Sequence, residues 1–143
     1  MRSEEFSMHM WESMRDASVS YSSFAKKMGV DVSELYVVDA LWDYEQGLTQ
    51  KAICELCDMG KQTVSAICKR LSSRGFVASH PSETDKRERI MALTDEGRNW
   101  WRPTLERVRE IEAKAAAAIS AEDAEMFVRV VKKYVNILQE EMR

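Results

Sequence analysis

The segment 49–75 contains two short stretches with helical periodicity, separated by a predicted tight turn at 58–60. In the second stretch, which begins KQTVSAICKR, apolar residues recur three or four positions apart, as on one face of a helix. The side chains expected to face inward from the two helices are Ile53, Leu56, Val64, Ile67 and Leu71. Two short helices joined by a glycine-containing turn are typical of a helix-turn-helix, so this segment strongly restricts the possible folds.

Longer amphipathic helices are predicted on both sides of this segment. The first covers about residues 4–28, and Ser33 is the predicted N-cap of the next. Thr94 is predicted to open a further helix, in which Pro103 should cause a kink or a break, and Ser120 is the predicted cap of the last helix. The residues expected on the inner faces of these last two helices are Leu105, Val108, Ile111, Ala115, Ala118, Ala124, Phe127, Val131, Leu138 and Met142.

Two stretches after the helix-turn-helix, residues 76–80 and 88–93, are predicted to be extended. The polar, turn-rich segment 81–87 lies between them, which is the pattern of a β-hairpin. The predicted order is then four helices, a two-stranded hairpin and two helices. A helix-turn-helix followed by a hairpin is a winged helix, so the predicted fold class is mainly α with a small β-wing.

Charge is unevenly distributed along the chain. Residues 60–92 contain seven basic and three acidic side chains, a net charge of +4, although the whole chain carries −3. The remainder is therefore at −7, and segregated charge of this kind can direct one part of a surface toward phosphate. A basic stripe on a helix is also compatible with a solvated face that has no partner.

Several other classes of protein do not fit the sequence. Residues 1–11 are polar and acidic, unlike a secretory signal, and the longest apolar run, 115–119, is far too short to span a membrane. Three cysteines suit a reducing compartment, so we expect a cytoplasmic protein. Phosphate-binding and dinucleotide-binding glycine motifs are absent, and His9 and His80 stand in separate contexts. We expect neither an enzyme nor a cofactor.

The residues of the predicted wing carry a family resemblance. Asp85-Lys-Arg87, followed by a strand and then Leu93-Thr94-Asp-Glu-Gly97, resembles the D-x-R and L-T-x-x-G wing signature of the MarR family of bacterial transcription regulators. The run KQTVSAICKRLSSRGFV is similar to the recognition helix and following strand of that family. The resemblance extends over the whole chain in element order and is specific from about residue 48 to residue 98.

The basic helix is the predicted reader of DNA bases in the major groove. We expect Gln62 to bond adenine, Thr63 to meet a thymine methyl group, and Ser65 to bond a base edge or a phosphate. Phosphate contacts are expected further along the helix. The predicted DNA-contacting residues of this helix are Lys61, Gln62, Thr63, Ser65, Lys69, Arg70 and Arg74.

The wing is the second predicted DNA contact. Lys86 and Arg87 occupy its tip, where cationic side chains can reach a minor groove. The resemblance implies that Arg87 is the inserted side chain and that Asp85 steadies it through a charged hydrogen bond. Asp85 is equally suited to cap the turn, and the two roles are compatible. Arg89, on the strand flank, is expected to contact backbone or Glu83.

The resemblance also implies a two-fold homodimer on a near-palindromic operator. We assign residues 33–97 to the winged helix-turn-helix, and residues 1–32 and 98–143 to dimerisation helices. The terminal helices carry more apolar surface than one small domain needs, although packing within one chain is the alternative. The candidates for the intersubunit core are Phe6, Met10, Val131, Leu138 and Met142.

A ligand-responsive repressor is the implied function, with an aromatic small molecule as the effector. Trp11, Met14, Tyr36 and Trp42 fall where the resemblance places its cleft, although aromatic residues at helical spacing are commonly core. No Arg or Lys is obviously placed to bind a carboxylate, which leaves the ligand class open.

The three cysteines allow other interpretations. Cys54 and Cys57 form a C-x-x-C pair that, with Cys68 and His80, suggests zinc binding or thiol sensing. We favour simple packing, because all three lie among the apolar positions of the helix-turn-helix. A redox-sensing regulator, and a winged helix that binds only proteins, remain the alternatives to a DNA-binding regulator.

Overall fold

A computed structural model describes all residues from Met1 to Arg143, which form six helices and three short strands. The elements in chain order are α1 (Ser3–Met28), α2 (Val32–Trp42), β1 (Leu48–Thr49), α3 (Gln50–Cys57), α4 (Lys61–Ser73), β2 (Val77–Pro81), β3 (Arg89–Leu93), α5 (Asp95–Ala117) and α6 (Ala121–Glu141). This order confirms the predicted fold class, mainly α with a small β-wing. No helix is both long enough and apolar enough to cross a membrane.

Side-chain caps set the beginnings of most helices. The hydroxyl of Thr49 accepts a hydrogen bond from the backbone N–H of Ala52 at the start of α3, and Ser120 caps α6 as predicted. The predicted cap Ser33 is wrong, because Asp31 accepts the hydrogen bond from the Glu34 backbone N–H at 3.0 Å. The extended backbone of Asp31 leaves Ser33 inside the first turn of α2.

Helix α5 continues through Pro103, so the expected break is absent, and the alternative, a kink, stays a prediction. The chain divides into two compact units, Met1–Leu105 and Glu106–Arg143, and the boundary falls within this helix. The assignment of 1–32 and 98–143 to dimerisation stays a prediction.

The wing sheet is antiparallel, with strand order β1-β3-β2. β2 and β3 form the predicted hairpin, in which Val77 pairs with Leu93 and Pro81 with Arg89. Strand β1 was not predicted, because two residues are too few to show an alternating pattern. β1 pairs Leu48 with Met91.

The core of the first unit lies where α2, α3, α4 and the start of α5 pack together with the sheet. Val64, Ile67 and Leu71 of α4 are buried as predicted, and so is Ile53 of α3. The prediction for Leu56 is wrong, because its side chain is 58% exposed. In an eight-residue helix, Ile53 occupies the central position that faces the core, and Leu56 lies at the solvent-facing end.

In the second unit the predicted inner faces are mostly exposed in the single chain. Val108 is buried, whereas Ile111, Ala115 and Ala118 are exposed. Helix α6 has no buried residue at all. Its exposed apolar side chains are Met126, Phe127, Val128, Val130, Val135 and Ile137.

Candidate nucleic-acid interface

Helix α4 has one buried face and one exposed polar face. Val64, Ile67, Cys68 and Leu71 fix the buried face in the core of the first unit. The predicted DNA-contacting residues of α4 all lie on the exposed side: Lys61, Gln62, Thr63, Ser65, Lys69, Arg70 and Arg74. The first turn of α4 therefore presents short polar side chains to solvent.

The turn between α3 and α4 fixes the position of this first turn. Asp58 adopts a left-handed conformation (φ 48°), and the Met59 N–H donates to the Cys54 carbonyl at 3.1 Å. Aspartate tolerates this conformation better than most residues. The turn ends α3, and α4 begins directly after Gly60. The geometry of the helix-turn-helix therefore depends on residues that are close together in the sequence.

The wing tip is a turn closed by Asp85. Its carboxylate accepts a hydrogen bond from the backbone N–H of Arg87 at 3.0 Å, and its carbonyl accepts one from the Glu88 N–H at 3.0 Å. The bond to the backbone is the turn-capping role expected of Asp85, and the charged hydrogen bond to the Arg87 guanidinium that the resemblance implies stays a prediction. Asp85, Lys86 and Arg87 are all exposed. Asp85 shapes the turn, and the two cationic side chains extend from it.

Arg89 braces the hairpin behind the tip. Its Nε donates to the Ser79 hydroxyl at 2.8 Å, and Nη2 donates to the Ser79 carbonyl at 3.1 Å. These bonds lie within the hairpin, so the expected contact of Arg89 with the DNA backbone stays a prediction. The bonds to Ser79 join β3 to β2, so Arg89 supports the hairpin.

The L-T-x-x-G motif connects the wing to α5. The Thr94 hydroxyl donates to the Gly75 carbonyl at 2.6 Å and accepts from the Gly97 N–H at 3.0 Å. The Thr94 N–H donates to the Phe76 carbonyl at 3.0 Å. Gly97 lies against the backbone of Phe76, where a Cβ atom would overlap that carbonyl group. The threonine and the glycine together hold α5 against the chain that leaves α4.

Arg70 of α4 and Arg74, which follows the last residue of α4, share a partner that the sequence did not reveal. Glu34 of α2, whose side chain is only 8% exposed, lies 3.1 Å from Arg70 Nε and 3.8 Å from Arg74 Nη1. The Arg74 guanidinium also lies 4.6 Å from the ring centres of both Phe76 and Trp100. Glu34 is separated from Arg70 by 36 residues, so no local pattern indicates the contact.

The four residues proposed for an effector cleft differ in exposure, and their grouping in one cleft stays a prediction. Trp11 and Met14 are 69% and 58% exposed on α1, whereas Tyr36 and Trp42 are half-buried on α2. Tyr36 alone among them lines an open pocket of about 390 Å³, together with Asp39, Ala40, Asp43, Tyr44, Leu56 and Cys57.

Trp42 has cationic neighbours that the sequence did not reveal. The guanidinium carbons of Arg98 and Arg102 lie 5.2 and 5.6 Å from its ring centre. Arg98 Nη1 also donates to the Trp42 carbonyl at 2.9 Å, which caps the end of α2.

The cysteines are packed rather than arranged as ligands. Cys68 is buried in the core, and burial raises the pKa of its thiol to about 11. Burial also raises the pKa of Cys57, whose thiol donates to the Tyr36 carbonyl at 3.5 Å. No cluster of three or more His, Cys, Asp or Glu side chains is arranged to hold a metal ion. A raised pKa disfavours the reactive thiolate, which agrees with a packing role.

We expect Cys68 to resist alkylation in the folded protein. At pH 8 a thiol with a pKa of about 11 is ionised to only about 0.1%, and burial also blocks the reagent. Its labelling by iodoacetamide should rise about tenfold per pH unit up to that pKa and become fast on unfolding. Mass spectrometry of the peptides, with and without urea, measures this. Rapid labelling of native Cys68 at pH 7 would contradict a buried thiol.

These elements define a class of protein. A helix-turn-helix whose second helix exposes a polar face, followed by an antiparallel hairpin with a cationic tip, is a winged helix-turn-helix. The sequence profile described as the MarR family matches residues 28–88. The transcriptional regulator HosA of Escherichia coli O157:H7 is 30% identical over 90 residues, which cover 63% of this chain and 67% of HosA. The chain belongs to the MarR family of transcription regulators, as the sequence resemblance predicted.

Solved structures share the fold over nearly the whole chain. NMB1585, a MarR family regulator from Neisseria meningitidis, aligns with a TM-score of 0.80 at 22% identity, covering 94% of each chain. S. aureus MepR in a complex with DNA aligns with a TM-score of 0.75 at 18% identity, covering 93% of this chain and 97% of MepR. At these identities the structures support the fold alone.

Proposed function

We propose that the protein binds double-stranded DNA in a sequence-specific manner and represses transcription from a pseudo-palindromic operator. The observation that carries this proposal is the joint exposure of the polar face of α4 and the wing tip on one compact unit. The helix would read bases through Gln62, Thr63 and Ser65, while Lys86 and Arg87 reach an adjacent minor groove. MepR, whose fold this chain shares, has been solved in a complex with DNA.

We propose that two copies of the chain bind together. The exposed apolar side chains of α6 support this, because a single helix with Phe127 at 64% exposure and several branched neighbours is unfavourable in water. Phe6, Met10, Val131 and Leu138 are half-buried and Met142 is exposed in the single chain, as expected of candidates for a surface that a second copy covers. A two-fold dimer would place its recognition helices about 34 Å apart, one turn of DNA.

We propose that an aromatic small molecule is the effector. The half-buried aromatic ring of Trp42, with the cations Arg98 and Arg102 beside it, favours an anionic aromatic ligand over a neutral one. Burial raises the pKa of Tyr36, which keeps its hydroxyl protonated and available as a donor near neutral pH. We propose a cytoplasmic location and no catalytic activity.

A binding experiment tests the core of this proposal. Binding to labelled duplex DNA from around the protein's own gene can be measured by fluorescence anisotropy at several salt concentrations. We expect tight binding, and the logarithm of the binding constant should fall linearly with the logarithm of the salt concentration. Sedimentation of the same samples measures the oligomeric state. A dimer that fails to bind any duplex at low salt would favour the alternative, a winged helix used for protein interaction.

We expect Arg87→Ala to weaken DNA binding about tenfold and to leave folding intact. The side chain lies on an exposed turn whose conformation depends on Asp85 and on the backbone of Arg87, so alanine removes only the cation. Loss of one charged contact should also reduce the salt slope by about 1. Anisotropy titrations measure both quantities. Arg107→Ala, which removes an exposed arginine paired with Glu110, is the control and should retain affinity.

An unchanged affinity for Arg87→Ala, in a variant that melts like the parent, would remove this residue from the interface. A large loss of helicity in the same variant would instead mean that Arg87 supports the fold, which its exposure argues against.

A further inference from the structure

We propose that Glu34 is a positioning residue that orients Arg70 toward a DNA phosphate. Glu34 lies on α2 and would not touch DNA, whereas Arg70 lies on the exposed side of α4. The proposal rests on the proposed function, since it needs DNA to be the ligand of α4. It assigns separate roles to two neighbouring arginines that the sequence placed together as phosphate contacts.

The carboxylate of Glu34 is held in a fixed place. Glu34 is in the first turn of α2, and its backbone N–H is bonded to the carboxylate of the N-cap residue Asp31. Its side chain is 8% exposed, so it cannot turn freely into solvent. A buried carboxylate needs cationic or hydrogen-bonding partners, because desolvation of its charge is costly. Arg70 and Arg74 supply those partners from α4.

The contact with Arg70 uses one edge of the guanidinium. Nε donates to Oε1 of Glu34 at 3.1 Å, while the Arg70 side chain as a whole remains 53% exposed. A guanidinium has five donors in a planar fork, so an Nε contact leaves the two terminal nitrogens for a second anion. Glu34 thereby fixes the plane of Arg70 before DNA arrives. Less side-chain freedom then has to be lost when the phosphate binds.

Arg74 is held in a different way. Its guanidinium packs over the rings of Phe76 and Trp100, and its Nη1 is 3.8 Å from Glu34, beyond hydrogen-bond distance. Stacking of this kind uses the face of the guanidinium and ties the end of α4 to the wing and α5. We therefore assign Arg74 to packing and Arg70 to phosphate. Two cations against one carboxylate leave a net positive charge at this site.

The test is a double-mutant cycle between Glu34 and Arg70, read out by DNA binding. Glu34→Gln keeps the shape of the side chain but removes its charge, so the hydrogen bond that orients Arg70 loses its charge assistance and weakens. We expect about a fivefold loss of affinity from Glu34→Gln in the parent protein, the cost of ordering one long side chain. In the Arg70→Ala background the same change should have no effect. Arg70→Ala itself should lower the salt slope by about 0.9, the value for one phosphate.

Each outcome separates the possibilities. If the parent protein binds no duplex, the proposed function fails, and the positioning role of Glu34 fails with it. If the parent binds but Glu34→Gln strengthens binding, Glu34 only neutralises Arg70, and the positioning role is wrong. An equal loss in both backgrounds would mean that Glu34 acts through the fold. An unchanged salt slope in Arg70→Ala would also overturn the proposal.

A second variant keeps the test valid if Glu34→Gln unfolds. Arg70→Lys, made with Glu34 intact, retains the positive charge. Lysine lacks the planar guanidinium, which can bind one anion at each of two edges. We expect an affinity loss of about fivefold with a nearly unchanged salt slope, because the charge remains while its orientation is lost. Full affinity in Arg70→Lys would show that only charge matters at this position.

Discussion

Gly97→Ala is expected to destabilise the protein by about 3 kcal/mol, near the upper end of the usual range for overpacking. A Cβ at this position would overlap the carbonyl group and Cα of Phe76, which are backbone atoms that cannot rotate away. The Phe76 carbonyl is also held by the Thr94 N–H at 3.0 Å, so relief requires the whole junction between β2 and α5 to shift. Urea unfolding followed by circular dichroism measures the loss, and the midpoint of thermal unfolding should fall by roughly 10 °C.

Gly60→Ala is the matched control. Gly60 has a negative φ, and an added Cβ would meet no atom within 4 Å. The remaining cost is that alanine is a poorer N-cap than glycine, so the change should stay within about 1 kcal/mol. Equal losses in the two variants would mean that the overlap at Gly97 is relieved by small movements. The last position of the L-T-x-x-G motif would then have no steric explanation.

Sequence could predict the parts of this fold that depend on short-range chemistry. Val64, Ile67 and Leu71 lie on one face of a helix by spacing alone, and their burial followed from it. Ser120 was recognisable as a cap, because a hydroxyl before an amphipathic stretch satisfies free N–H groups of the first turn. The helix-turn-helix, the hairpin and their order therefore came from local signals that agree with each other.

The features that the sequence did not predict depend on contacts between elements that are far apart along the chain. Glu34 reads as an ordinary acid in the first turn of a helix, and only the packing of α2 against α4 shows that it holds Arg70. The two-residue strand β1 exists only because β3 lies beside it. Leu56 has the spacing of a core residue, but no neighbouring element covers it in the folded chain, where its side chain is 58% exposed.

The sequence could predict which residues form the candidate site, but not what each of them contacts in the folded chain. All ten residues expected to contact DNA are exposed, which the polar face of α4 and the turn-rich wing made foreseeable. The role of Arg74 was not, because its guanidinium has partners that compete with DNA contact, whereas the turn-closing role of Asp85 was among those predicted. Asp85 bonds the Arg87 backbone, and Arg74 stacks on Phe76 and Trp100.

Trp101→Ala should produce the other large loss, about 4 kcal/mol in the free energy of unfolding. Trp101 is fully buried and is the largest such side chain in the core, where it belongs to the same buried cluster as residues of α2 and α4. Removing it leaves a cavity that the surrounding close-packed helices cannot fill by small shifts. Urea unfolding at a fixed protein concentration measures the change, since association would otherwise shift the apparent stability.

The adjacent Trp100 provides the control for Trp101. Its side chain is 43% exposed and stacks on Phe76 with ring centres 5.0 Å apart, so Trp100→Ala should cost only about 1 kcal/mol. Trp101→Phe should lower the free energy of unfolding much less than Trp101→Ala does. The buried indole N–H has no hydrogen-bond partner to lose, and most of the ring volume is kept. Similar losses for Trp100→Ala and Trp101→Ala would contradict the difference in burial between these two side chains. A large loss for Trp101→Phe would instead show that the indole nitrogen binds a group in the folded protein.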